Sequence, residues 1–274
     1  MEFGLERTAS ACSVDCMRNM RTSEPQYLPT ENGESLAYSS APGSLPGLFW
    51  LPGFNSDMAG NKAKHLADWA KREAIGFTAL DYSGHGRSSG RLSDGTITRW
   101  LADALAVFDR IAAGPQILIG SSMGGWIALL LALARPARVA GLVLIAPSPD
   151  FTEDLIWEDA GPEIRGQIIE QGAFNRPSGD PAEQNPITRT LIEDGRRHLL
   201  LRQEIAICAP VRIFHGMADM EVPYERSLLL AQRLVSRDVI VEIIKAGDHR
   251  LSTPDDLARF EVAIRALANC VAKT

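Results

Sequence analysis

The chain has 274 residues, a formal charge of −6, 45% hydrophobic side chains and 23% charged ones. That length can bury a sizeable core in one or two domains, and no apolar run approaches the roughly 18 residues of a membrane span, so a soluble protein is expected. The acidic balance argues against sequence-independent binding to nucleic acid, which needs a basic surface to displace counterions from phosphates.

Residues 1–24 contain no apolar core of a signal peptide, and Glu2, Glu6 and Asp15 offset their arginines. A poorly ordered N-terminal segment is expected there, rather than a targeting sequence. Cys12, Cys16, Cys208 and Cys270 are the only cysteines, and the Cys12/Cys16 spacing lacks the downstream Cys or His partners of a zinc site. Free thiols suit a reducing compartment, so a cytoplasmic location is expected.

From residue 26 the pattern changes. "QYLPTENGESLAYSS" reads as two extended pieces around an Asn32-Gly33 turn, an antiparallel hairpin at a sheet edge. Six short apolar runs then read as buried strands, at 47–53, 77–86, 116–122, 141–149, 211–219 and 239–249. Helical spacing fills 61–73, 96–112, 123–134 and 224–235 between them. Such alternation builds a mostly parallel sheet covered by helices on both faces. It breaks once, at 149–205, where three helix-like pieces (152–160, 162–171 and 187–200) surround the loop "FNRPSGDPAEQNP" and no strand is expected. An insertion at that point lies above the carboxyl ends of the strands, where open α/β sheets bind ligands. The expected organisation is therefore a core formed by 25–148 and 206–274, with 149–205 as a helical cap.

Chemistry concentrates in "LIGSSMGGW", residues 118–126. Gly120-Ser121-Ser122-Met123-Gly124 matches G-x-S-x-G, with a strand before it and an apolar helix after it, the setting of a nucleophile elbow. Small residues at 120, 124 and 125 let strand and helix approach, and Ser122 is the serine exposed by such a turn, with Ser121 in a packing role. A serine hydroxyl needs a base, and the base needs an orienting carboxylate. Of His65, His85, His198, His215 and His249, the last follows the final strand, and Asp219 stands just past the strand before it. The order Ser122, Asp219, His249 is that of an elbow triad. Glu221 and Asp248 are rival acids, disfavoured because the end of the strand holds Asp219 most rigidly. The backbone N–H groups of Met123 and of Phe54, in "LPGFNSDMAG", are expected to form an oxyanion hole.

Together these pieces resemble the α/β-hydrolase superfamily over about residues 45–265. More narrowly, "LPGFNSDMAGNKA", "DYSGHGRSSG", "GSSMGGW", "HGMADMEVP" and "GDHRLS" resemble the branch of the mitochondrial abhydrolase-domain palmitoyl-protein thioesterases, or acyl-glucuronide esterases, and their bacterial relatives. In the cap, "LIEDGRRHLLL" shares the likeness. The resemblance implies Ser122 as nucleophile, Asp219 as acid and His249 as base.

The expected protein is a serine hydrolase of carboxylic esters or thioesters that uses an acyl-enzyme and neither metal nor organic cofactor. A carbon–carbon bond hydrolase and a cofactor-free haloperoxidase are alternatives on the same triad, and a non-catalytic receptor is a further one. Phe54, Trp126 and Trp157 are candidate substrate contacts. If the acids Asp150, Glu153, Asp154, Glu158, Asp159 and Glu163 line the cap entrance, they would repel polyanionic leaving groups relative to neutral esters, and Arg196, Arg197 and His198 could offset this by pairing with a substrate carboxylate.

Overall fold

The computed structural model describes residues 24–30, 33–176 and 185–271. Apart from Glu24, the expectations for residues 1–24, including Cys12 and Cys16, fall outside the described residues. In chain order the core begins with β1 (Gln26–Pro29), β2 (Ser35–Ala41), β3 (Ser44–Leu51), α1 (Asn61–Arg72), β4 (Ile75–Leu80), α2 (Ile97–Arg110), β5 (Gln116–Ser121), α3 (Met123–Ala134) and β6 (Val139–Ile145).

The cap contains a π-helical turn (Thr152–Trp157), then α4 (Pro162–Gly166), which continues into a second π-helical turn, Gln167–Gln171. It goes on with β7 (Ala173–Asn175), β8 (Pro186–Thr188) and α5 (Arg189–Gly195). The core then continues through β9 (Val211–Gly216), α6 (Glu225–Arg233), β10 (Val239–Ile244) and α7 (Pro254–Val271).

Eight strands form one sheet in the order β1-β2-β4-β3-β5-β6-β9-β10. The first two pairings, β1 with β2 and β2 with β4, are antiparallel and the rest are parallel. The hairpin turns at Gly33, whose φ of 78° suits a residue without Cβ. Parallel strands buried on both faces read as near-continuous apolar runs, and β5 is buried at all six positions, with Ile117, Leu118 and Ile119 at its centre. One face packs Trp100, Phe108, Trp126 and Leu129 from α2 and α3. The other packs Leu66, Trp69, Phe260 and Ile264 from α1 and α7. Helix α3 is buried from Met123 to Ala132 because sheet, neighbouring helix and cap enclose it, which is why its sequence shows no polar face.

Two features depart from the sequence reading. The ends of "FNRPSGDPAEQNP", expected to be connection alone, pair as the antiparallel ribbon β7–β8, with Phe174 opposite Ile187. Three-residue strands are too short to show a period of two. Helix α7 was not anticipated, yet "STPDD" marks its start: Thr253 N–H donates to Asp256 Oδ2 at 3.0 Å and Asp256 N–H to Thr253 Oγ1 at 3.2 Å, with Pro254 opening the helix.

The sheet and α3 meet at the elbow without intervening side chains. A Cβ on Gly120 would stand 2.4 Å from the Gly124 carbonyl oxygen. Gly120→Ala is therefore expected to lower stability by about 1–3 kcal/mol, read from urea unfolding of both proteins; an unchanged midpoint would show that the elbow has slack.

Candidate active site

Ser122 stands between β5 and α3 with φ 54° and ψ −122°. A non-glycine residue in that region costs about 1–3 kcal/mol and persists only when its surroundings dictate it. Here three backbone hydrogen bonds do so: Ser122 N–H donates to Ile145 O at 2.9 Å, while Gly125 N–H and Ser148 N–H donate to Ser122 O at 2.8 and 3.2 Å. The strain turns the hydroxyl into a cavity of about 620 Å³ at the carboxyl ends of the strands.

His249 reaches the same cavity from the loop after β10. A close backbone approach makes this possible, since a Cβ on Gly216 would lie 2.1 Å from Gly247 O. Its Nε2 is 3.0 Å from Ser122 Oγ and its Nδ1 is 2.7 Å from Asp219 Oδ2. Asp219 is fully buried and also accepts N–H bonds from Glu221 and Val222 at its Oδ1, at 2.8 and 2.9 Å. Burial alone would push its carboxyl up; the hydrogen bonds from His215 and His249, the imidazole charge and the Val222 N–H together hold it well below the usual carboxylate range.

The rival acids are engaged elsewhere. Glu221 points toward Arg176 at 3.9 Å, and Asp248 Oδ1 accepts from Arg250 N and Leu251 N at 3.0 and 2.9 Å. Of the remaining histidines, His65 binds Glu261, His198 binds Thr98, and His85 is buried among Phe54, Tyr82 and Trp100, where burial lowers its pKa to about 4.

Phe54 and Met123 line the cavity with Ser122. The Phe54 ring is anchored edge-on against Trp100 at 5.8 Å, which fixes the loop after β3. The other two candidate substrate contacts do not line this cavity. Trp126 is fully buried, its Nε1–H given to His198 O at 3.1 Å, because α3 turns that face toward the cap's base. Trp157 lies on the cap between the guanidinium groups of Arg165 and Arg196, beside a separate cleft of about 230 Å³.

The acidic entrance does not form. None of the six cap acids lines the cavity. Asp150 is buried, accepting from Leu200 N and Leu201 N at 2.8 and 2.9 Å; Asp154 pairs with Arg202 and Arg226, and Glu153 with Arg196. The charges that do line it include Lys62, Arg176, Arg250, Asp57 and Glu221. Lys62 donates to Arg250 O, and burial draws its pKa down to about 8.

The protein family described as serine aminopeptidase, S33 matches residues 48–160. Over 224 residues the chain is 40% identical to the mitochondrial palmitoyl-protein thioesterase ABHD10 of Mus musculus, covering 81% of this chain and 75% of that protein. The chain belongs to the α/β-hydrolase superfamily. The Homo sapiens protein of the same name is 35% identical over 224 residues, covering 81% of this chain and 73% of its own. Among solved structures, mouse α/β-hydrolase domain-containing protein 10 superposes with a TM-score of 0.84 at 35% identity, covering 91% of this chain and 100% of that one. A crystal structure from Agrobacterium vitis S4, described as that of a hydrolase, gives a TM-score of 0.85 at 42% identity, covering 89% and 98%.

This α/β-hydrolase has two further groups at the site that sequence reasoning passed over. Ser148 Oγ lies 3.4 Å from Ser122 Oγ, and His215 Nε2 lies 3.2 Å from Asp219 Oδ2. The signal for His215 was present in "HGMAD", where a strand-end histidine stands four residues before the acid.

Because Asp219 has a depressed pKa in the folded chain, its carboxylate stabilises the fold above the unfolded value of about 4, and that contribution disappears as pH falls through the folded value. The stability difference between wild type and Asp219→Asn should therefore be largest above about pH 5 and shrink as pH falls below about 4, followed by urea unfolding across pH. A difference that grew on acidification would contradict the depressed pKa.

Proposed function

We propose that this hydrolase cleaves carboxylic ester or thioester bonds through an acyl-enzyme intermediate. The observation that carries the reading is the unbroken hydrogen-bonded line from Ser122 through His249 to Asp219, opening into the cavity. His249 Nε2 takes the hydroxyl proton as Ser122 Oγ attacks the carbonyl carbon, while the ionised Asp219 holds the Nδ1–H and stabilises the imidazolium. The N–H groups of Phe54 and Met123 receive the oxyanion. Collapse of the tetrahedral intermediate transfers the same proton to the leaving oxygen or sulfur. Water, activated by His249, then hydrolyses the acyl-serine. The thioester arm draws support from the relatives named as palmitoyl-protein thioesterases, and a small-molecule ester suits a cavity of about 620 Å³.

Labelling with a fluorophosphonate and turnover of a short-chain aryl ester test this reading. Ser122→Ala should abolish labelling and lower kcat by about 10⁴-fold or more, whereas Ser121→Ala should keep most activity. Asp219→Asn should lower kcat roughly 10³- to 10⁴-fold, by favouring the wrong imidazole tautomer, and Glu221→Gln and Asp248→Asn about tenfold or less. Undiminished turnover by folded Ser122→Ala would reject the mechanism.

A further inference from the structure

Within β9, His215 is fully buried and faces three partners. Its Nε2 lies 2.9 Å from Val222 O and 3.2 Å from Asp219 Oδ2, and its Nδ1 lies 2.6 Å from Ser227 Oγ in α6. Both acceptors at Nε2 lack hydrogens to give, so Nε2 carries the proton. In the neutral ring Nδ1 is then an acceptor, and the Ser227 hydroxyl donates to it. Ser227 is itself fully buried, so water does not compete for that bond.

We propose that His215 is a positioning residue for the reaction. Its Nε2–H, shared between the Asp219 carboxylate and the Val222 carbonyl, closes the loop 219–222 onto the strand end and sets the carboxylate rotamer that meets His249. Ser227 holds the His215 ring in the required tautomer.

The inference rests on the reading of Ser122, His249 and Asp219 given above. Without the His215 donor, Oδ2 would keep only His249 as a side-chain partner, and the loop would lose the bond that ties Val222 O to β9. Glu221 N–H and Val222 N–H fix Oδ1 relative to the loop, but they belong to the loop and move with it. His215 belongs to the sheet. It therefore refers the carboxylate to the same rigid frame that carries Ser122, in which β3, β5, β6 and β9 are successive parallel neighbours. A buried carboxylate also needs its oxygens satisfied, and this donor meets part of that need.

The test compares substitutions chosen by reach. Gln keeps an N–H at the distance of Nε2 from the backbone, Asn keeps a polar group only as far as Nδ1, and Leu keeps neither. Thermal melting first confirms folding, and steady-state hydrolysis of the aryl ester is then measured. His215→Leu should lower kcat about 100-fold with KM within about twofold, and His215→Gln should recover most of that loss. Ser227→Ala should lower kcat about tenfold with KM unchanged, since the ring is left in place but its tautomer is released.

If His215→Leu does not fold, the contrast between Gln and Asn decides: Gln active and Asn impaired supports the proposal, and equal activities overturn it. A folded His215→Leu with kcat within about threefold of wild type also overturns it, as does equal impairment of Gln and Leu, which would mark a packing role. Ser122→Ala in the same assay separates the two readings. If that variant keeps turnover, the acyl-enzyme mechanism itself falls; if it is inactive while folded His215→Leu is normal, only the positioning role falls.

Discussion

The contact between β5 and α3 constrains everything above it. Gly120 and Gly124 bring strand and helix backbones so near that no Cβ fits at position 120, and the chain passes between them only by placing Ser122 at positive φ. The Ser122 backbone is held by three hydrogen bonds, to Ile145 at the end of β6, to Ser148 just after it and to Gly125 in α3. Strain of this kind is held by the surrounding packing, and here the packing is the most buried helix of the core. A serine mounted in this way cannot adjust to its partners. They must come to it.

The partners arrive through a second close backbone contact, between Gly216 at the end of β9 and Gly247 in the loop after β10. It brings two neighbouring parallel strands to a common edge, so that an acid from one and a histidine from the other can meet over a short distance. Asp219 is the hub of that edge. It accepts from His249 and His215 through one oxygen, and from two loop N–H groups through the other. A carboxylate with four donors stays ionised although it is buried, the state that the proposed triad requires beside its imidazole.

The cap follows a different logic. Its acidic stretch looks like an electrostatic gate when read linearly, yet Asp150, Glu153 and Asp154 strap the insertion down, while Glu158, Asp159 and Glu163 are exposed away from the cavity. Asp150 at the start of the insertion accepts from Leu200 and Leu201 near its end, and Asp154 pairs with Arg202 there and with Arg226 of α6. Asp194 of α5 accepts from Thr98 at the start of α2, at 2.8 and 2.7 Å. The cap reaches the cavity wall through Phe151, Leu155, Ile156 and Arg176 instead, opposite Lys62 and Arg250 of the core. A further strap, Asn55 to Asn185 at 2.6 Å, ties the cap to the loop that carries Phe54.

Much of this was legible in the linear sequence. Apolar runs of strand length, alternating with helical periodicity, determined the parallel sheet, because a strand buried on both faces admits few polar residues. The spacing of small residues around Ser122 determined the elbow, because only glycine permits that backbone approach. The order of Asp219 and His249 after it determined which strand ends could face Ser122. Other assignments depended on contacts between residues far apart in the chain. Trp126 was placed under the cap and Trp157 outside the cavity by the packing of α3 and the cap turns, which one-dimensional spacing does not encode. The cap acids found arginines 43 to 72 positions away, and a charge's partner depends on distance in space. His215 reads as one more residue of a buried strand; only the fold, by closing the loop 219–222 back over its ring, brought that imidazole against the carboxylate.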